Sequence, residues 1–192
     1  MNFKAYDILS TLIPGFFLGT VLLYYFNIQY DKDMIVPYTA SAFLLGYIIN
    51  ALASWLEDFY FFTWGGNPAV QLLRGRDIWK VRFYSHQQVN ELLRKETTNS
   101  KPSERELFSI AMRYANQVGT KVEDLNATYD FSRAILTCVI IASTFFLIRD
   151  YQNLLYDLTA TAVLLITWLR CKQRSYYYAK EVLSDYLKVK NN

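Results

Sequence analysis

The chain has 192 residues, of which 53% are apolar, 17% aromatic and 19% charged. A disordered chain would need fewer apolar and more charged residues, and two cysteines exclude a disulfide-dense scaffold. The net charge is +3 and the mean hydropathy is only +0.06, so lipid does not surround the whole chain. We therefore expect an all-α membrane protein in which apolar spans alternate with soluble helices.

Four stretches are almost free of charge, namely residues 8–28, 34–56, 134–148 and 154–169. The first two are as long as a membrane-spanning helix needs to be, about 17–25 residues. The last two are shorter and span a bilayer only if the flanking Arg133, Arg149 and Arg170 reach its interfaces. The sequence therefore predicts four transmembrane helices.

Lysine and arginine are distributed unevenly between these stretches. Loops 28–33 and 149–153 hold one basic residue each, Lys32 and Arg149, so 18 of the 20 lie on the opposite side of a four-span protein. Under the positive-inside rule that side is the cytoplasm. We predict a multi-pass protein of the bacterial inner membrane with both termini and segment 57–133 in the cytoplasm.

The order of these segments suggests four regions. Residues 1–60 would hold transmembrane helices 1 and 2, residues 61–120 a cytosolic helical segment, residues 121–170 the hairpin of helices 3 and 4, and residues 171–192 a cytosolic C-terminal helix. Capping boxes beginning at Ser85, Ser103 and Thr120 predict three helix starts. No Gly or Pro interrupts residues 121–148 or 154–191, which predicts two long unbroken helices.

Small residues follow one face of each of the first two helices. Gly15 and Gly19 make one such step, and the second helix repeats the spacing every four residues at Ala42, Gly46, Asn50 and Ser54. Small residues let helix backbones approach closely in lipid, and an amide in hydrocarbon must face protein or water. The stripe is either a helix-packing face or a pore wall.

Several charges lie where the predicted spans meet water. Glu57, Asp58 and Asp130, together with Glu123 and Asp124, either form an acid cluster or pair with Arg133 or Arg174. Asp157 lies about one turn inside the fourth span, either beside Arg149 at the outer interface or as an access point for cations.

Basic and aromatic side chains alternate in two places. Residues 69–84 either lie on the membrane surface or form a packed loop of the cytosolic domain. The two regions supply a candidate basic surface for a ligand or partner, nucleotide and nucleic acid included: Arg74, Arg76, Lys80, Arg82, Arg170, Lys172 and Arg174. Juxtamembrane anchoring explains the same residues.

The sequence offers no catalytic constellation. His86 is the only histidine and is expected at the surface, and Cys138 and Cys171 are expected to be free thiols too far apart for a disulfide. No phosphate-binding glycine loop is present. We therefore expect a protein that is not an enzyme and that takes no cofactor and no metal.

Three short motifs resemble those of known proteins. They are Tyr6 to Ser10 running into Ile13-Pro14-Gly15, Trp55-Leu56-Glu57, and Asn126 with Tyr129 to Arg133. Together with the four spans they resemble small bacterial inner-membrane proteins of anti-phage defence operons, such as the membrane subunit of Kiwa and the four-span effectors beside nucleotide-signalling enzymes.

The resemblance implies one of two functions. One is a homo-oligomeric effector, with a tetramer among the expected forms, that perturbs the membrane or forms a channel under control of a cytosolic signal or partner. The other is a membrane sensor or scaffold that anchors a cytosolic partner protein. A small ion channel or transporter unrelated to defence is a further alternative.

Overall fold

The computed structural model describes residues 5–78, 80–99, 101–117, 121–149 and 154–191. The helices are α1 (Ala5–Tyr25), α2 (Ile35–Trp55), α3 (Glu57–Thr63), α4 (Pro68–Leu73), α5 (His86–Glu96), α6 (Glu104–Ala115), α7 (Lys121–Arg149) and α8 (Leu154–Asn191). No strand occurs among these residues, only an isolated bridge between Ile78 and Val81. The expectation of an all-helical chain is confirmed.

Four of these helices, α1, α2, α7 and α8, are long and apolar enough to cross a membrane. The two long helices expected from the absence of Gly and Pro are confirmed, since α7 and α8 run for 29 and 38 residues without a break. A turn follows α3, with Gly65 and Gly66 at φ angles of +85° and +127°.

The described chain forms two compact units. The first unit contains residues 5–57 and 130–171, and the second contains residues 58–129 and 172–191. Helices α7 and α8 each contribute one part of their length to each unit.

The first unit is built on a close crossing of α1 and α2. A Cβ atom added at Gly15 would lie 1.7 Å from the carbonyl oxygen of Ala42, and one added at Gly46 would lie 1.9 Å from that of Thr11. Only glycine fits at either position, because backbone atoms cannot move aside as a side chain can. Next to this crossing, Leu18 and Ile49 pack with Ala134 and Cys138 of α7.

The end of α1 is closed by α7. Arg149 Nη1 donates hydrogen bonds to the carbonyl oxygens of Tyr24 at 2.6 Å and Tyr25 at 2.8 Å, and its Nη2 donates to Asn27 Oδ1 at 2.8 Å. These carbonyls lie at the negative end of the helix dipole, and that of Tyr24 also accepts a hydrogen bond from the Asn27 amide at 3.2 Å. The guanidinium therefore adds hydrogen bonds to the helix end and neutralises its partial charge.

The second unit has a core of buried apolar side chains contributed by several helices. Apolar residues recur every three or four positions on α5, α6 and the last part of α8, so each helix buries one stripe. The buried members include Leu72 and Leu73 of α4, Val89 and Leu93 of α5, Leu107, Ala111 and Ala115 of α6, and Val182, Leu183 and Tyr186 of α8.

Candidate functional site

The best candidate site is a cleft of about 570 Å³ in the second unit, here called the α5–α6 cleft. One wall is the end of α5 and the residues after it, Glu96 to Thr98. The other wall is a face of α6 that carries, in order, Glu106, Ser109, Ile110, Arg113, Tyr114 and, just past the helix, Gln117. The three-and-four-residue spacing of these positions places them along one side of the helix.

Glu96 connects the cleft to the end of α8. Its Oε1 accepts a hydrogen bond from the Tyr186 hydroxyl at 2.8 Å and forms an ion pair with Lys190 Nζ at 2.8 Å. Lys190 Nζ also lies 4.3 Å from the centre of the Tyr114 ring, which meets the Tyr186 ring edge to face. We call these four residues the Glu96 link, and two of them, Glu96 and Tyr114, also line the cleft.

The charges of the Glu96 link balance each other. Partial burial opposes ionisation of Glu96, but hydrogen bonds from Lys190 and Tyr186 outweigh it and lower the pKa of the carboxyl group below its ordinary value. Glu96 is therefore a carboxylate at neutral pH whose charge is compensated by Lys190.

Two other charged side chains line the cleft, the acidic Glu106 and the basic Arg113. Glu106 accepts hydrogen bonds from the Thr97 hydroxyl and the Asn99 amide, both at 3.3 Å. Arg113 is exposed, and within the described part of the chain no side chain pairs with its guanidinium. Arg113 is thus free to bind an anion. Lys190, which does not line the cleft, is already paired with Glu96.

A second cluster lies in the first unit, where Arg133 bridges two carboxylates. Its guanidinium is 2.8 Å from Glu57 and 2.9 Å from Asp130, and its side chain is 13% exposed. Of the two interpretations of these acids, the pairing with Arg133 is therefore the one seen for Glu57 and Asp130. Asp58 does not join them: it lies 3.4 Å from Arg105 in the second unit, with both side chains largely exposed.

Arg149, beside which one of the two alternatives places Asp157, binds the end of α1, where three acceptors converge. Asp157 is half-exposed in the first turn of α8, where a negative charge is favoured by the helix dipole.

The small-residue stripe lies partly inside the first unit. Ala42 and Gly46 are buried against α1 together with Gly15, and Asn50 Nδ2 lies 3.5 Å from the Thr11 hydroxyl. Gly19 makes only an ordinary contact with Leu45, and Ser54 is exposed. The buried part of the stripe is thus occupied by packing between two helices of the same chain.

Residues 69–73 of segment 69–84 belong to α4, and the described residues from 74 to 84 form a packed loop, as in one of the two alternatives that the sequence left open. Leu72, Leu73, Val81 and Phe83 are buried in the core of the second unit. His86, expected at the surface, is partly exposed, and its Nδ1 lies 3.4 Å from the Phe83 carbonyl oxygen.

The residues of the candidate basic surface differ in burial and in their partners. Arg74 is bound to Glu104 by two guanidinium nitrogens at 2.8 and 3.0 Å, and half-buried Lys172 donates to the Trp64 carbonyl oxygen at 3.3 Å. Arg76, Lys80 and Arg82 are exposed, Arg174 is half-buried, and Arg170 belongs to the first unit. The second unit therefore exposes four of these cations near one another in sequence, and one of the four, Arg74, is paired with Glu104.

Neither cysteine forms a disulfide, as expected: Cys138 and Cys171 are free and buried. Among the described residues no three His, Cys, Asp or Glu side chains come together in a way that would hold a metal ion.

The α5–α6 cleft was not found from the sequence. The α6 wall could have been predicted from the sequence, because the polar residues at 106, 109, 113 and 117 form a stripe beside the buried stripe of Leu107, Ala111 and Ala115. The Glu96 link has no such signal, because it joins residues about 90 positions apart.

Fold and site together define an all-helical protein with four potential membrane spans and a second unit that carries a polar cleft. No family model matches the chain, and no curated protein and no solved structure matches it.

Proposed function

We propose that this chain is a multi-pass inner-membrane protein whose second unit lies in the cytoplasm, receives a signal or partner there, and passes the response to the membrane-spanning unit. The observation that carries the proposal is the continuity of α7 and α8, each of which contributes to both units without a break. A continuous helix transmits displacement of one end to the other, because its backbone hydrogen bonds resist bending.

The uneven distribution of basic residues supports the orientation. Replacing Tyr30, in the loop after α1, by cysteine should give a thiol that a membrane-impermeant maleimide labels in intact spheroplasts. Tyr84→Cys, at an exposed position of the second unit, should react only after lysis. Buried Cys138 and Cys171 supply little background. The reverse labelling pattern would overturn the orientation.

Coupling through α7 is tested by Thr128→Pro, with Thr128→Ala as the matched control. Proline removes one helix hydrogen bond and clashes with the preceding turn, at a cost of about 3 kcal/mol. We expect the proline variant to insert into the membrane and to lose its response to signal or partner, while the alanine variant responds. A proline variant that responds like the wild type would show that α7 is not the coupling element.

A role in anti-phage defence is the biological setting that we propose on the basis of the resemblance. Challenge of cells that express the wild type or Thr128→Pro with a panel of phages tests it directly. Protection by the wild type alone would support both the setting and the coupling, and equal plaque counts with an empty vector across the panel would argue against defence.

A homo-oligomeric effector is the second candidate, and the exposed apolar face of α8 favours it. Leu155 and Ile166 are each 66% exposed in the single chain, so lipid or another copy must cover them in a membrane. Cross-linked oligomers together with loss of membrane potential on expression would support the effector. A monomer that gives no conductance in reconstituted bilayers would favour the sensor or scaffold.

A further inference from the structure

We propose that the α5–α6 cleft binds a small phosphorylated metabolite of mononucleotide size. This assignment rests on the proposed function, because it names the chemistry of the signal that the second unit would receive. Its basis is the pattern of charge in the cleft: a free guanidinium, a carboxylate two helical turns away, and hydroxyl and amide groups between and beside them.

Arg113 is the anion-binding group. A guanidinium presents paired N–H donors that match two oxygens of a phosphate, and it stays charged at every physiological pH. The charge of Glu96, the nearest carboxylate at the other wall, is already compensated by Lys190 at 2.8 Å. The cleft therefore accommodates a phosphate at Arg113 without an unpaired carboxylate from the Glu96 link opposing it.

Glu106 requires that the ligand also carry hydrogen-bond donors at a distance from its phosphate. It precedes Arg113 by seven residues on the same helix, which is about 10.5 Å along the axis at 1.5 Å per residue. Its carboxylate already accepts two hydrogen bonds, from Thr97 and Asn99, and retains acceptor capacity for the hydroxyl or amino groups of a ligand. A free phosphate cannot reach both groups, whereas a phosphate that carries a sugar and a base can.

Size and lining agree with such a ligand. A volume of about 570 Å³ lies within the usual range of small-molecule pockets, about 300–1,000 Å³. Ile110 lies between Glu106 and Arg113 along α6 and, with Tyr114, gives the cleft an apolar surface for a flat ring. Among the described residues that line the cleft, Arg113 is the only basic one, which is too few for nucleic acid, since nucleic acid is held through several phosphate contacts.

A ligand bound in the cleft would also affect the contacts of α8. Glu96 and Tyr114 belong both to the cleft and to the Glu96 link, so a molecule between the walls contacts the side chains that bind Tyr186 and Lys190 near the end of α8. The cleft is thus placed to alter the helix that enters both units.

The test is isothermal titration calorimetry on the full chain in detergent, with AMP, GMP, CMP and UMP in turn. We expect at least one to bind with a dissociation constant below about 1 mM. Its nucleoside and inorganic phosphate should each bind about ten-fold more weakly or worse. Failure of all four at that concentration, or phosphate binding as tightly as the nucleotide, would overturn the assignment.

Matched variants locate the site. Arg113→Gln should weaken nucleotide binding about ten-fold or more, the usual scale of a lost charge-assisted hydrogen bond, without changing nucleoside binding. Arg94→Gln, on α5 and outside the cleft, should bind like the wild type. Equal affinity of wild type and Arg113→Gln would place any binding elsewhere.

The result is separable from the proposed function. If nucleotide binding depends on Arg113 while Thr128→Pro still responds like the wild type, the cleft assignment stands and the coupling through α7 fails. If Thr128→Pro is silent but no nucleotide binds, the proposed function stands and the ligand assignment fails.

Discussion

In the first unit many exposed side chains are large and apolar, and several buried ones are glycine or alanine. In the second unit large apolar side chains make up most of the buried core. Leu155 and Ile166 are each 66% exposed, whereas Leu93 and Leu107 are fully buried. The difference is the one expected if lipid surrounds the first unit and water the second. In water, burying large apolar side chains drives packing, whereas in lipid that driving force is absent and close backbone contact between small residues replaces it.

The largest effect that this comparison predicts is at the crossing of α1 and α2. Gly46→Ala should destabilise the protein by about 3 kcal/mol or more, because the added methyl group would lie 1.9 Å from the Thr11 carbonyl oxygen. Unfolding of the purified protein in detergent measures it.

Gly19→Ala is the matched control, since its methyl group would meet only the end of the Leu45 side chain at 3.7 Å. If the two alanine variants unfold alike, the close crossing does not hold the first unit together.

The second prediction compares how much the free energy of unfolding changes when one leucine of each unit is replaced by alanine. Leu107→Ala should cost about 2–4 kcal/mol, because it leaves a cavity in a packed core. Leu155→Ala should change the free energy of unfolding by less than about 0.5 kcal/mol in detergent, since its side chain has few protein contacts to lose. A large loss at Leu155 would show that another part of the protein, or another copy, covers that face.

The sequence was sufficient for the parts of the fold that depend on local chemistry. The absence of Gly and Pro predicted α7 and α8 over their whole described length, and uninterrupted apolar residues predicted four helices able to span a bilayer. Both rest on properties of neighbouring residues.

The sequence was insufficient where distant segments meet. Residues 69–84 alternate basic and apolar side chains, a pattern that a surface segment and a packed loop share, and only the tertiary core distinguishes them. The Glu96 link joins the end of α5 to the end of α8, and Arg149 binds α1 rather than Asp157. Competition between such partners is decided by geometry that local patterns do not contain.

The third prediction concerns the Glu96 link and its pH dependence. Glu96→Gln should lower the free energy of unfolding by about 1–2 kcal/mol at neutral pH, because it removes a charge-assisted pair with Lys190. A carboxyl group whose pKa is lowered by folding stabilises the protein above its unfolded-state pKa, and loses that effect as the pH falls through its folded-state pKa. The difference between wild type and variant should therefore shrink once the pH falls below the ordinary glutamate value of 4.5.

Thermal unfolding followed by circular dichroism, at neutral pH and in acid, measures this difference. Glu91→Gln, at an exposed position on the same helix, controls for general effects of acid. A difference that is constant with pH would mean that the carboxylate of Glu96 does not stabilise the link through its charge.

The smallest expected effect separates two serines that the sequence treats alike. Ser85 and Ser103 each precede a helix of the second unit and begin a capping box, but only the Ser103 hydroxyl accepts a hydrogen bond from a helix amide, that of Glu106 at 3.2 Å. Ser85 adopts φ −90° and ψ +22° instead of the extended backbone of an N-cap, and its side chain makes no capping hydrogen bond. Ser103→Ala should therefore cost about 1 kcal/mol, and Ser85→Ala only a few tenths, in thermal unfolding of the purified protein. Equal losses would mean that the Ser85 hydroxyl caps α5 in solution as the Ser103 hydroxyl caps α6.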